Sequence, residues 1–276
     1  MTADRPVVLI RPRGRWSPAR IGELHEFRDL LRAFAARDIT LRYRQTALGP
    51  IWVLLQPLLA AAIFSFVFGR VAKLPSGAVP YVVFSFAGLL AWNAFNAILT
   101  KASASLTQYS AMVSKVYFPR LLLPLSVVGS SLLDFAVSLI VMVILDLGYG
   151  INPGLKALLL PVWLAIVVAL ALGLGLVACT LMVRYRDVQY VLPIAAQMLL
   201  YASPVAYGLN AVPGSARTLV ELNPLTGVLE AFRWSLVGTT HPPAAALCWS
   251  AGAALAALVL GIFVFASFER DFADVI

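Results

Sequence analysis

A chain of 276 residues that is 61% hydrophobic and only 12% charged departs from the about 45–50% apolar and about 25% charged of an average soluble domain. The apolar residues come in long uncharged runs that a soluble core does not require, so the excess must face lipid, and one membrane domain is the economical reading. The net charge of +8 does not point to nucleic acid, because the basic residues fall between those runs, where they meet lipid head groups and fix orientation.

Residues 1–20 form a basic tail. The first 48 residues carry ten Arg and no apolar stretch of the about 7–15 residues that a cleavable signal needs, so this end is expected to stay cytoplasmic and uncut. Residues 21–48 hold an amphipathic helix and its connector. Leu24, Phe27, Leu30, Leu31 and Phe34 recur at helical spacing, with Glu26, Arg28 and Arg32 on the other side. Such a helix lies on the inner membrane surface or packs as a soluble element on another subunit.

Residues 49–268 make the membrane domain. Crossing about 30 Å of hydrocarbon at about 1.5 Å per residue takes about 20 apolar residues. Six stretches qualify, at 51–69, 81–100, 121–147, 157–183, 191–208 and 244–268, followed by a short tail at 269–276. The expected fold is therefore all-α, with six transmembrane helices. An even count puts both termini on one side. With the N-terminus inside, sixteen of the twenty-one Lys and Arg lie on the cytoplasmic side, as the positive-inside rule requires.

Within the spans, Trp92 and Tyr201 sit deep beside Asn93, Asn96 and Ser203, which predicts a polar, aromatic channel lining. Phe95 and Tyr207 are further aromatic candidates, although Tyr207, like Trp52, is at a span end, where amphipathic rings gather at the interface. Asp134 is the one carboxylate well inside a span. It reads as a helix-packing or pore-facing residue paired with a hydroxyl such as Ser130, Ser131 or Ser138, the alternative being part of a proton or ion relay. Ser203-Pro204 marks a kink beside a cavity.

The stretch 209–243 opens on turn residues and continues in a helical pattern broken at Asn223-Pro224. Glu221, Glu230 and Arg233 would each cost roughly 2.5–3.5 kcal/mol or more at mid-bilayer. Two short re-entrant helices in the outer leaflet are expected between spans five and six, the alternative being an amphipathic surface loop.

Little here does chemistry. His25 and His241 lie in separate segments, Cys179 and Cys248 sit inside apolar runs, and no HExxH or GxSxG occurs, so no catalytic, metal or cofactor site is expected. A lone carboxylate is too little for ion-coupled transport. No GxxxxGK[ST] loop is present either, so ATP and its Mg would have to be handled by a separate ATPase subunit. Its docking elements would be the inner segments 101–120, with Ser105, Tyr109, Lys115 and Tyr117, and 184–190, with Arg184, Arg186 and Asp187.

Four blocks in order resemble one family. Leu41-Arg42-Tyr43-Arg44-Gln45-Thr46-Ala47-Leu48-Gly49-Pro50-Ile51-Trp52, ending in Gln56-Pro57-Leu58, is similar to the lead-in to the first helix of type-2 ABC permeases for polysaccharide and polyol-phosphate export. Lys115-Val116-Tyr117-Phe118-Pro119-Arg120 resembles their lead-in to the third helix, and Arg184-Tyr185-Arg186-Asp187-Val188 their second inner loop. Ser203-Pro204-Val205-Ala206-Tyr207, Asn223-Pro224-Leu225 and Phe232-Arg233 resemble their outer gate.

That resemblance implies a homodimer with two ATPase subunits and a channel between the two permeases, through which a lipid-linked or growing glycan leaves the cytoplasm. The basic helix with Arg42, Tyr43, Arg44, Gln45 and Trp52 would frame the inner entrance. The inner loops would transmit ATPase motion, and the pair carrying Asn223, Pro224, Glu230 and Arg233 would gate the outer end. A type-2 exporter of a drug or lipid, and a membrane anchor that transports nothing, are the alternatives.

Overall fold

The computed structural model describes residues 27–43, 51–77, 79–113, 115, 118–269 and 272, with the backbone alone for 41–43, 52 and 53. The basic tail 1–20 and most of 269–276 lie outside the described residues. Every regular element among the described residues is helical.

Helix α1 spans Arg28–Tyr43. Its apolar side turns inward at Phe34, which is buried and stands 5.9 Å ring to ring from both Tyr109 and Phe118, while Arg28 and Arg32 are exposed. The surface that α1 packs on thus belongs to its own chain.

Helix α2 covers Ile51–Phe64, holds Pro57, and continues as a π-helical stretch, Ser65–Val71. Helix α3 is Tyr81–Gln108, α4 the single turn Ser110–Val113, α5 Leu122–Gly148, and α6 Leu160–Arg184, led in by the 3₁₀ turn Gly154–Leu159. Then come α7 at Val188–Ala202, α8 at Gly214–Leu222, α9 at Pro224–Val237 and α10 at Ala244–Phe268.

Among the described residues, five helices are long and apolar enough to cross a membrane: Leu54–Val71, Tyr81–Gln108, Leu122–Gly148, Gly154–Arg184 and Ala244–Phe268. The chain is a multi-pass membrane protein. The stretch expected at 191–208 takes another form. Helix α7 has 15 residues, about 22 Å at 1.5 Å per residue, and stops at Ser203, whose extended backbone is what a following proline demands.

A second correction concerns α3. Expected to end at 100, it runs on to Gln108, because Lys101-Ala-Ser-Ala-Ser-Leu-Thr-Gln contains neither Gly nor Pro and its Ser103, Ser105 and Leu106 are buried. Hydropathy marks where lipid contact ends, and the helix outlasts it. The segment expected at 101–120 accordingly shrinks to the connection after Gln108.

Helix α3 is the centre of the bundle, with Phe86, Phe95 and Ile98 sealed against α5, α6 and α9. Helices α6 and α10 meet backbone to backbone. A Cβ on Gly173 would overlap the Ala257 carbonyl, and one on Gly261 would overlap Gly173 itself, the small-residue contact that lets helices associate where lipid is as apolar as leucine. Buried hydroxyls bond their own helix, Ser126 to the Leu123 carbonyl at 2.8 Å and Thr180 to that of Leu176 at 3.0 Å. Apolar side chains such as Ile63, Phe66, Leu255 and Val259 stand exposed on the outer faces of α2 and α10, as a lipid solvent favours.

Candidate functional site

A cavity of about 510 Å³ opens between α2, α3, α5 and α7, within the about 300–1,000 Å³ of ordinary ligand pockets. Gln56 of α2, Trp92, Asn93 and Asn96 of α3, Asp134 of α5 and Tyr201 of α7 form its wall, with Ser131 and Ser138. On α3 the polar lining follows one helical face, since Trp92 and Asn96 are one turn apart. Of the residues expected to line a channel, the fold brings Trp92, Asn96, Asp134 and Tyr201 together. Phe95 is fully buried behind Trp92, ring centroids 5.6 Å apart, and does not reach the cavity.

Asp134 has a partner that its surroundings in sequence do not suggest. Its Oδ2 lies 3.3 Å from Lys101 Nζ, which also donates to Ser130 Oγ at 3.3 Å. The extension of α3 past residue 100 is what carries Lys101 to this depth. Asn96 Oδ1 and Ser131 Oγ are buried with no hydrogen-bond partner among the described residues.

Beyond α7 the chain runs as irregular backbone from Ser203 to Gly208, and its polar groups are satisfied by side chains from elsewhere. Arg233 of α9 is fully buried. It donates to the carbonyls of Pro204 and Val205, the latter at 2.6 Å, and to Glu230 Oε1 at 2.9 Å, while its guanidinium stands 4.4 Å over the Phe84 ring. Glu230 also accepts from the Leu209 amide at 3.0 Å, and Tyr81 donates to the Ala206 carbonyl at 2.6 Å. Three consecutive carbonyls and one amide are thereby tied down, as buried non-helical backbone requires. Gly88 makes room: a Cβ there would stand 2.6 Å from the Val205 carbonyl oxygen and 2.7 Å from Arg233 Nη2.

Asn223 does two things in this latch. Its Oδ1 caps α9 by accepting from the Leu225 amide at 3.0 Å, and its Nδ2 donates to Ser203 Oγ at 2.8 Å. Pro224 occupies the first turn of α9, where its missing N–H costs nothing. The fold therefore joins the expected gate residues Asn223, Pro224, Glu230 and Arg233 to Ser203, which is fully buried in the latch and away from the cavity. Tyr207 is half-buried at its edge, bonded to the Tyr201 carbonyl at 3.4 Å. Tyr81 and Gly88 were not legible as members. The pairing of Glu230 with Arg233 was not read either, although the two stand one helical turn apart.

At the opposite end, Tyr109 fastens α1. Its hydroxyl donates to Asp38 at 2.6 Å, Arg37 stands 5.3 Å over its ring, and Phe34 packs beside it. Burial, then the Asp38 bond and charge, push the Tyr109 phenol up from 10.0 to about 12. Arg184, Tyr185, Arg186 and Asp187 form an exposed rim between α6 and α7, with Arg184 5.9 Å over Phe268. Lys115 is exposed nearby in chain order, and Arg120 bonds Glu269. Ser105, expected on the docking surface, is instead sealed inside the bundle 3.7 Å from Cys179 Sγ, because α3 is still helical there. Arg44, Gln45 and Tyr117, and the side chains of Arg42, Tyr43 and Trp52, lie outside the described residues.

Sequence comparison adds kinship to this geometry. The profile of the family described as ABC-2 type transporter matches residues 29–237. The chain is 29% identical over 256 residues to the O-antigen export system permease protein RfbA of Myxococcus xanthus, covering 92% of this chain and 98% of that protein. It is 27% identical over 255 residues to the protein of the same name from Klebsiella pneumoniae, covering 90% and 95%. It is 22% identical over 243 residues to the polysialic acid transport protein KpsM of Escherichia coli, covering 86% and 93%.

Proposed function

Because the chain belongs to the ABC-2 type transporter family, we propose that it is the channel-forming permease subunit of an ATP-driven exporter that moves a polysaccharide or lipid-linked glycopolymer from the cytoplasm across the inner (plasma) membrane. The observation that carries this reading is the cavity of amide, hydroxyl and aromatic side chains held open inside an otherwise apolar bundle. Sugar rings present hydroxyls at their edges and C–H groups on their faces, and that wall has partners for both. The end-to-end similarity to permeases named for O-antigen export supports the same substrate class.

In this assembly two copies of the chain face each other and two ATPase subunits, which bind ATP and Mg, dock beneath them. Helix α7, with the latch and the α8–α9 pair, supplies the sixth crossing and the outer gate, and both termini are cytoplasmic. The exposed rim at Arg184, Arg186 and Asp187, together with Tyr109 and Lys115, takes up the ATPase stroke. Helix α1 and the lead-in to α2 frame the inner entrance.

Depletion of the protein in its host tests the proposal. Lipid-linked glycan should accumulate on the cytoplasmic face while surface polymer falls. Unchanged surface polymer with no retained intermediate overturns it, and efflux of a drug or lipid without a glycan defect would put that other cargo in its place.

A further inference from the structure

The turn between α5 and α6 closes the bundle at the latch end, where Lys156 Nζ stands 5.2 Å over the ring of Trp234, the neighbour of Arg233 in α9. Its surface is not one that water favours. Leu155, Leu147 and Leu158, exposed at 84%, 74% and 74%, are the three most exposed large apolar side chains among the described residues. They sit at the end of the spans and beyond it, not along the middle where lipid contact is routine, and a large exposed apolar patch marks an interaction surface. We infer that residues 147–159 are seated in the bilayer at the boundary between headgroups and acyl chains, with membrane phospholipid as their partner. On the topology proposed above, this is the outer leaflet.

The turn is firmly built, so its leucines are not exposed through slackness. Gly150 and Gly154 hold φ of +69° and +61°, Asn152 Oδ1 accepts from the Gly154 amide at 3.0 Å, and the Ile151 amide donates to the Asp146 carbonyl at 2.8 Å. In the 3₁₀ stretch Gly154–Leu159, residues three apart eclipse one another, so Leu155 and Leu158 share a side.

Continuity, depth and charge select lipid as the occupant. Ile140, Ile144 and Leu147 form one exposed stripe along α5 at spacings of four and three, so the surface that faces acyl chains in mid-span runs unbroken into the turn. Helix α5 has 27 residues, about 40 Å at 1.5 Å per residue, close to the about 40–45 Å of a bilayer with its headgroup layers. Its far end therefore stands level with the headgroups and not clear of them. From 147 to 183 the one charged residue is Lys156. An ammonium on a long stem between two leucines suits a side chain that lays its methylenes on acyl chains and brings its charge to the phosphates.

Site-directed spin labelling of the full chain in phospholipid nanodiscs tests the seat. Cys248→Ala removes the exposed native thiol, Cys179 being buried, and Leu155→Cys or Leu158→Cys then carries a single nitroxide. Collision with oxygen, which concentrates among acyl chains, is compared with collision with a water-soluble nickel chelate. Ile140→Cys supplies the lipid reference and Asp187→Cys, on the exposed rim, the aqueous one. The oxygen-to-nickel ratio at both turn positions should exceed the Asp187→Cys value by about tenfold, a partition difference of about 1.4 kcal/mol. A ratio no higher than that of Asp187→Cys puts the turn in water and overturns the inference. Exclusion of both reagents means that a protein surface, from a second copy or another chain, covers the turn, and overturns it as well. Either result leaves the export reading to its own depletion test.

Discussion

Replacing Arg233 with methionine keeps most of the side-chain volume and removes the guanidinium donors of the latch. Glu230 then stays buried at 6% exposure with its ion-pair partner gone, and the Pro204 and Val205 carbonyls lose their donor. Stranding one member of a buried ion pair costs about 3–5 kcal/mol. Each abandoned carbonyl adds about 1–3 kcal/mol where water cannot replace the lost bond. These effects share one network and do not sum, so the expected loss is about 5 kcal/mol. Reversible unfolding in mixed detergent and SDS micelles, followed by tryptophan fluorescence, measures it. Adding Glu230→Gln to Arg233→Met should recover about 2–3 kcal/mol, the share owed to the stranded charge. An Arg233→Met protein within about 1 kcal/mol of wild type, or a double variant no more stable than the single one, would refute the account of the latch.

Two further expectations follow from the packing and the α1 contact. Gly261→Leu drives a side chain into the Gly173 backbone and must part α6 from α10, costing about 1–3 kcal/mol of overpacking in the same unfolding assay. A variant as stable as wild type would show that the two helices are not held in contact. For Tyr109 the folded phenol titrates at about 12 against an unfolded 10.0, so its stabilising contribution is present below pH 10 and is lost as pH rises toward about 12. Amide hydrogen exchange in α1 should accelerate across that window in wild type. The acceleration attributable to this group should be absent from Tyr109→Phe, and equal curves for the two proteins would dismiss Tyr109 as the fastening.

Reading the sequence alone located the apolar helices well, because lipid imposes a run length that composition displays directly. It misjudged the end of α3, since nothing in hydropathy reports a helix that continues into the interface. That error hid Lys101 and with it the real partner of Asp134, an ammonium 33 residues away where a local hydroxyl was expected. Glu230 and Arg233 were read as too costly for mid-bilayer. Their cost is met by each other, one turn apart, and by carbonyls that Pro204 frees from a helix. The kink was visible in Ser203-Pro204, but the donor that answers it comes from 29 residues further along. Trp92, Asn96 and Tyr201 share a cavity because of how α3 and α7 pack, which spacing within either helix does not encode.

The latch has a mechanical consequence. Displacing α9 by about an ångström would break the Arg233, Glu230 and Asn223 bonds to the 203–209 segment together, since hydrogen bonds weaken steeply with distance and angle. No intermediate position keeps half of them. A contact built this way has two seated arrangements, bonded and released, and does not loosen by degrees.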